Sequence, residues 1–506
     1  DGPVGAPTNS ELLAAAQALF LDLDQADLDF FSAAMSGLVD DYNVIDAMDA
    51  PTLPTKYARG KGYRPTGDEN RYGAWQWKCS IKGAVSGKLV GKRVAIKDNI
   101  GVAGMPLLNG SALYEGFVAD EDATVVTRVL DAGGEVVGKA VCENFCYSGG
   151  SHTSASGPVR NPRDPNFMTG GSSSGCAALI LTDECDMAIG SDQGGSVRMP
   201  SSWSGCVGIK PTHGLVPYTG AGPIEHTIDH LGPMAASSAD CAVLLEVIAG
   251  YDNGLDPRQV AALQAKPYSE LVGHGIEGLR FGIVREGFGA SGSEADVDES
   301  VMAAARRLQE AGAVVEEISV PMHAGAVKIM FASSVDGTLS TWSDQGPAGG
   351  NANGHNPLEA IRFFQEARKT RAAELPDMAK TVLLFAQTMR ARYGNYYSAK
   401  AQNLVRTIRA AYDQAFGKYD LLVMPTTIMK AHRIPPPDAS REVIMGLTLD
   451  MIGNTAPFDA TSHPSMSVPT GLSNGLPVGM MITGRYGEDD VVLRAGHAFE
   501  MLRGPI

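Results

Sequence analysis

Short apolar segments alternate with helical patterns along most of this chain, and this alternation is what most constrains its fold. Strand-like segments surround Val94 and cover residues 136–140 and 279–284, and helical patterns cover residues 123–132 and 240–248. Buried strands separated by helices favour a sheet that helices cover on both faces. We therefore predict an α/β fold whose central sheet is mixed but mostly parallel.

The pattern also divides the chain into four regions. Residues 1–75 predict a helical N-terminal extension that ends in a linker, and residues 76–324 predict the core, which contains Lys97, Ser172 and Ser196. Residues 325–418 have helical patterns and few strand signals, which predicts a helical insertion with a glycine-rich loop at 349–354. Strand-like segments return within residues 419–506, which we assign to the core sheet.

Three residues with reactive side chains each lie in a separate motif. Lys97 follows the apolar run Val-Ala-Ile, Ser172 lies in the Gly-Gly-Ser-Ser-Ser-Gly loop at 170–175, and Ser196 follows a Gln-Gly-Gly turn. Lys97 precedes Ser172 by 75 residues, and the two serines are 24 residues apart. A serine becomes a nucleophile when a base takes its proton, and burial favours the neutral lysine that can do so. A glycine turn points several N–H groups at one place, which suits an oxyanion.

Each motif also has a simpler reading. Lys97 alone would suit a surface turn, and the loop at 170–175 would suit a flexible linker. That loop lacks the Gly-x-x-x-x-Gly-Lys pattern of phosphate loops, and an apolar helical run follows it directly. His226 and His230 have metal-ligand spacing, but the nine residues between Pro223 and Pro233 are a poor host for two helical turns. We therefore predict no metal site.

This register of Lys97, Ser172 and Ser196 resembles the amidase signature family of serine hydrolases, in which a Ser-Ser-Lys triad cleaves amide bonds. The resemblance implies that Ser196 is the nucleophile, that Ser172 relays its proton and that Lys97 is the base. It further implies a cis peptide bond between Gly171 and Ser172. The implied oxyanion hole consists of the backbone amides of Gln193, Gly194 and Gly195.

The resemblance extends to the surroundings of the triad. It implies that the substrate pocket is lined by Gly149, Gly150, Thr153, Gly171 and Trp203, and that no cofactor is needed. The Gln193 motif, Trp203 and the segment 210–220 look most like amide hydrolases of nitrile pathways, with carbamate-cleaving urethanases close behind. The expected substrates are neutral carboxylic amides, aliphatic or aromatic, and anilides, with carbamates and esters as further candidates.

Two other classes of function remain open. The first is a glutamine-hydrolysing component of a tRNA-dependent amidotransferase complex, and the second is a non-catalytic binding module with the same fold. Intact Lys97, Ser172 and Ser196 argue against the binding module. Glutamine-using relatives need a cationic group for the substrate carboxylate, and no motif in this sequence supplies one.

Composition limits the partners. The chain has 57 acidic and 41 basic residues, a net charge of −16 and no basic cluster, so we predict no nucleic-acid partner. Seven cysteines at irregular spacing favour reduced thiols and a cytoplasmic location. No apolar run approaches the roughly 18 residues of a membrane helix, and the N-terminus lacks a signal sequence. Helical extensions in similar amidases support dimers, so we expect a homodimer.

Overall fold

The computed structural model describes residues 4–344 and 353–506, so most of the loop predicted at 349–354 lies outside the described residues. The chain divides into two compact units, one that ends at Leu53 and one that runs from Pro54 to Ile506. Each unit is described by itself below.

The first unit contains the three helices α1 (Asn9–Ala18), α2 (Gln25–Ala34) and α3 (Ser36–Asp46). Capping boxes begin α1 and α2, because the N-cap side chains of Thr8 and Asp24 accept hydrogen bonds from the third residue of each helix. Few apolar side chains of this unit are buried, and Phe20 and Phe30 are 89% and 66% exposed.

The second unit is built on β-strands. They are β1 (Trp75–Lys82), β2 (Arg93–Lys97), β3 (Glu135–Ala140), β4 (Arg160–Asn161), β5 (Asp164–Met168), β6 (Met187–Asp192), β7 (Val207–Lys210), β8 (His230–Ala235), β9 (Arg280–Val284), β10 (Val314–Ile318), β11 (Leu421–Pro425), β12 (Ser465–Ser473) and β13 (Leu476–Gly484). Strands β4 and β5 pair separately, and the other eleven form one sheet in the order β1-β3-β2-β6-β8-β7-β12-β13-β11-β9-β10.

Helices lie between these strands along the chain. They are α4 (Thr124–Asp131), α5 (Ser174–Leu181), α6 (Arg198–Ser204), α7 (Ser238–Ile248), α8 (Tyr268–Leu271), α9 (Ala295–Glu310), α10 (His323–Leu339), α11 (Leu358–Arg371), α12 (Asp377–Tyr393), α13 (Tyr396–Phe416), α14 (Arg441–Gly446), α15 (Ala456–Ala460) and α16 (Asp489–Arg503). Helices α10 to α13 fill the segment between β10 and β11, and no strand lies among the described residues of that segment.

Helices cover both faces of the sheet. Successive side chains of a strand point to opposite faces. Val94 and Ile96 of β2 belong to a core cluster with apolar residues of α4, α7, α9 and α16, whereas Ala95 belongs to one with residues of α5. In β11, Val423 belongs to the first cluster, and Leu422 packs with residues of α10 and α13. The predicted α/β fold with a mixed, helix-covered sheet is confirmed.

The prediction that parallel pairs predominate is wrong. Parallel pairing joins β3 to β2, β2 to β6, β11 to β9 and β9 to β10, so parallel strands lie toward both ends of the sheet. The remaining pairs are antiparallel and include every pair from β6 through β8, β7, β12 and β13 to β11. A tight turn joins β12 to β13, with Asn474 and Gly475 at φ of 51° and 80°. So short a connection allows only antiparallel pairing.

Candidate active site

Two adjacent parallel strands bring the predicted catalytic motifs together. Strand β2 ends at Lys97 and strand β6 ends at Asp192, and Ile96 pairs with Ile189. The carboxyl ends of parallel neighbours meet at one edge of a sheet. The Ser172 loop leads directly into α5, and the Ser196 turn leads directly into α6.

Lys97 is fully buried and bonded to serine oxygens. Its Nζ lies 2.7 Å from Ser172 Oγ, 2.8 Å from Ser191 Oγ and 3.3 Å from the Ser191 carbonyl oxygen. No exposed surface remains on Lys97 or Ser172, so proton exchange between them needs no intervening water. The peptide bond between Gly171 and Ser172 is cis.

Ser196 lies beside this pair. The Ser173 N–H donates to the Ser196 carbonyl oxygen at 3.1 Å, which holds the two glycine-rich motifs against each other. Among the described residues, the hydroxyls of Ser172 and Ser196 form no hydrogen bond with each other. Ser196 lines a cavity, whereas Lys97 and Ser172 do not reach its wall.

The Asp192 carboxylate holds the Ser196 turn in shape. It accepts hydrogen bonds from the N–H groups of Gly195 at 2.6 Å, Val197 at 3.0 Å and Arg198 at 3.3 Å, and the Arg198 guanidinium binds both of its oxygens. Burial disfavours the charged carboxylate, but the adjacent Arg198 outweighs this and holds the pKa of Asp192 well below its usual range. The turn is therefore fixed by an ionised side chain.

Of the backbone amides predicted for the oxyanion hole, one is already engaged. The Gly195 N–H donates to Asp192, whereas the N–H groups of Gln193, Gly194 and Ser196 have no acceptor within the described chain. Gly195 has φ of 131°, and a Cβ at this position would lie 2.3 Å from Thr455 Oγ1. Thr455 in turn donates to the Gly194 carbonyl oxygen at 2.5 Å.

The cavity over Ser196 has a mainly apolar wall. No lysine, arginine, histidine, aspartate or glutamate of the described chain lines it. Its apolar wall comes from distant parts of the sequence and includes Ile224, Ile228, Met330, Phe331, Leu449 and Ile452. Such a wall favours a neutral, apolar group.

Of the five predicted pocket residues, the cavity wall includes Gly149. Gly171 supports that wall from behind, since its N–H donates to the Gly149 carbonyl at 2.7 Å, and the Gly150 N–H donates to Ser148 at 3.1 Å. Thr153 donates through its N–H and hydroxyl to Glu143, at 3.0 and 2.6 Å.

Trp203 lies in the core rather than at the cavity. It is fully buried, and its indole N–H donates to the Met429 carbonyl at 3.0 Å. Helix α6 directs this ring into an apolar cluster beside the site. Trp203 therefore supports the helix that follows Ser196 and does not contact the cavity.

The histidine pair is used structurally. His230 Nδ1 lies 2.7 Å from the Ile228 carbonyl oxygen, and its Nε2 lies 3.3 Å from Lys210 Nζ. Burial and then the charge of Lys210 lower the pKa of His230 well below its ordinary value. Among the described residues, no group of three or more His, Cys, Asp or Glu side chains is placed to hold a metal ion.

Sequence reasoning missed two contributors to the site. Ser191 is the penultimate residue of the buried strand β6 and binds Lys97, and a polar residue near the end of an apolar strand was its only signal. Cys146 lines the cavity, and its Sγ lies 3.3 Å from Asn109 Oδ1. Burial raises the pKa of the Cys146 thiol, but hydrogen bonding with Cys142 and the nearby Lys97 outweigh this and lower the pKa below its ordinary value.

Comparison with known proteins shows that this chain is an amide-hydrolysing enzyme. A family profile described as Amidase matches residues 64–493, and the chain belongs to the amidase signature family. An enantioselective amidase of Rhodococcus rhodochrous is 44% identical over 439 residues, which cover 86% of this chain and 84% of the relative. A glutamyl-tRNA(Gln) amidotransferase subunit of Methanosarcina mazei is 35% identical over 419 residues, covering 82% and 85%.

Solved structures show the same architecture. A glutamyl-tRNA(Gln) amidotransferase subunit of Thermotoga maritima has a TM-score of 0.67 and 30% identity, and the match covers 82% of this chain and 84% of that one. A bacterial aryl acylamidase of the amidase signature family has a TM-score of 0.71 over 99% and 97% of the two chains. Its identity is 21%, so it bears on the fold alone.

Alanine substitutions at the two glycines before Ser196 test the account of the Ser196 turn given above. We expect Gly195→Ala to lower kcat by about 100-fold or more, because the methyl group meets Thr455 and the backbone conformation disfavours a side chain. A Cβ on Gly194 meets only Met330, at 3.9 Å, so Gly194→Ala should mainly raise KM. Equal losses of kcat in the two variants, measured with one amide, would contradict this account of the turn.

Proposed function

We propose that this enzyme hydrolyses neutral carboxylic amides through an acyl-Ser196 intermediate, with Lys97 and Ser172 as its proton relay. The observation that carries the proposal is the buried contact of 2.7 Å between Lys97 Nζ and Ser172 Oγ, beside a nucleophile that faces an apolar cavity. A neutral lysine takes the Ser172 proton, and Ser172 takes the proton of Ser196 as Ser196 attacks the carbonyl carbon.

The relay then passes the proton taken from Ser196 to the leaving nitrogen of the substrate. The tetrahedral intermediate carries its negative charge on the former carbonyl oxygen, and the N–H groups of Gln193, Gly194 and Ser196 are the donors available to it. The role of Gly195 differs from the expectation, because its N–H is committed to Asp192 and serves to keep the turn rigid. Passing the proton along the relay to the leaving nitrogen releases the amine, and water then hydrolyses the acyl-Ser196 ester by the reverse transfers.

The cavity favours particular acyl groups. An unpaired carboxylate against this apolar wall would cost several kcal/mol, whereas an aliphatic or aromatic group gains from burial. The 44% identity to an enantioselective amidase supports amides as the substrate class. Carbamates and esters present the same neutral carbonyl, and we propose them as secondary substrates.

Alanine substitutions of the three proposed catalytic residues test the mechanism. Ser196→Ala should abolish turnover, and Lys97→Ala and Ser172→Ala should each lower kcat by several orders of magnitude, because each breaks the relay. The double variant of Lys97 and Ser172 should be little worse than either single one. Ser238→Ala removes a buried hydroxyl that has no hydrogen-bond partner in the described chain, and it serves as the matched control with unchanged kcat. A tenth of wild-type kcat in Ser196→Ala would rule out the mechanism.

A substrate panel separates this proposal from glutamine hydrolysis, which the 35% identity to an amidotransferase component keeps as the alternative. We expect kcat/KM for benzamide or an acyl anilide to exceed that for glutamine, because no cationic side chain of the described residues lines the cavity. An ester and a carbamate of the same acyl group should also be cleaved. A higher kcat/KM for glutamine, measured as ammonia release by the purified chain, would favour the amidotransferase role.

We also propose that the enzyme is a cytoplasmic homodimer. All seven cysteines are unpaired, which suits a reducing compartment. Exposed apolar side chains on α1 to α3 offer a surface for a second copy. Sedimentation equilibrium should give a dimer for the wild type and a monomer for the double variant Phe20→Ser, Phe30→Ser, with both proteins equally helical by circular dichroism. A monomeric wild type would refute the dimer.

A further inference from the structure

The side chain of Gln193 connects the cavity to the hydrogen bonds around Lys97. Gln193 lines the cavity, and its Oε1 accepts a hydrogen bond from Ser191 Oγ at 3.5 Å. Ser191 Oγ itself accepts from Lys97 Nζ at 2.8 Å. At the other end of the amide, Gln193 Nε2 donates to the Tyr218 hydroxyl at 2.7 Å. The orientation of one amide therefore affects both the relay and the turn that carries Ser196.

Contacts of its hydroxyl, its backbone N–H and its ring hold Tyr218 in place. Its hydroxyl donates to the Gly222 carbonyl at 3.0 Å, and its backbone N–H donates to Asp256 at 2.8 Å. The Arg258 guanidinium lies 4.7 Å from the ring centroid and binds both oxygens of Asp256, at 2.7 and 2.8 Å. Burial raises the pKa of Tyr218 well above its usual value, so the phenol stays protonated.

We infer that Tyr218 is a positioning residue for the catalytic turn: it fixes the side chain of Gln193 and, through it, the backbone donors that precede Ser196. The inference rests on the proposed function of that turn.

The test removes one hydroxyl from the full-length protein. Tyr218→Phe should lower kcat for benzamide about tenfold and change KM less than about twofold, because the turn loses a support while the cavity wall stays in place. Tyr268→Phe, which removes another buried hydroxyl outside the site, is the matched control and should leave kcat unchanged. Wild-type kcat in a folded Tyr218→Phe would overturn the role of Tyr218. Absence of amide hydrolysis by the wild type would instead overturn the proposed function, and this inference with it.

Discussion

The buried ion pairs of Arg198 are the interaction on which the rest of the site depends. Arg198 has no exposed surface, and its guanidinium binds Asp192 at the end of β6 and Asp459 in α15, at 2.9 and 2.6 Å. It also donates to the Thr455 carbonyl at 2.9 Å. Buried charges are tolerated only when they are paired this completely. The Ser196 turn therefore depends on residues more than 250 positions away in the sequence.

The pKa values of the two carboxyl groups in this network shift in opposite directions. Burial disfavours both charged forms, yet the pKa of Asp192 falls below its usual range because Arg198 binds both of its oxygens. The pKa of Asp459 is raised well above its usual value by burial and by the charge of Asp192. The carboxylate with the lowered pKa is the one that accepts the backbone N–H groups of the turn.

In the proposed mechanism, the reaction and the choice of substrate depend on different parts of the fold. The proposed relay lies where the paired strands β2 and β6 end, and strand pairing limits movement there. The cavity wall comes instead from α10, from residues 224–228 and from residues 449–452. This separation is consistent with a family that includes both an enantioselective amidase and components of amidotransferases among the relatives of this chain. Changes in the wall can alter the acyl group without disturbing the charged network.

The sequence by itself determined the α/β class, the helix-covered sheet and the motifs of Lys97, Ser172 and Ser196, because strand alternation and glycine turns are local properties. Only the tertiary structure decided the antiparallel centre of the sheet, since pairing between distant strands leaves no local signal. It also placed Trp203 in the core, bound the Gly195 N–H to Asp192 and assembled the apolar wall. These features depend on contacts between residues far apart in the chain, which burial and packing select together.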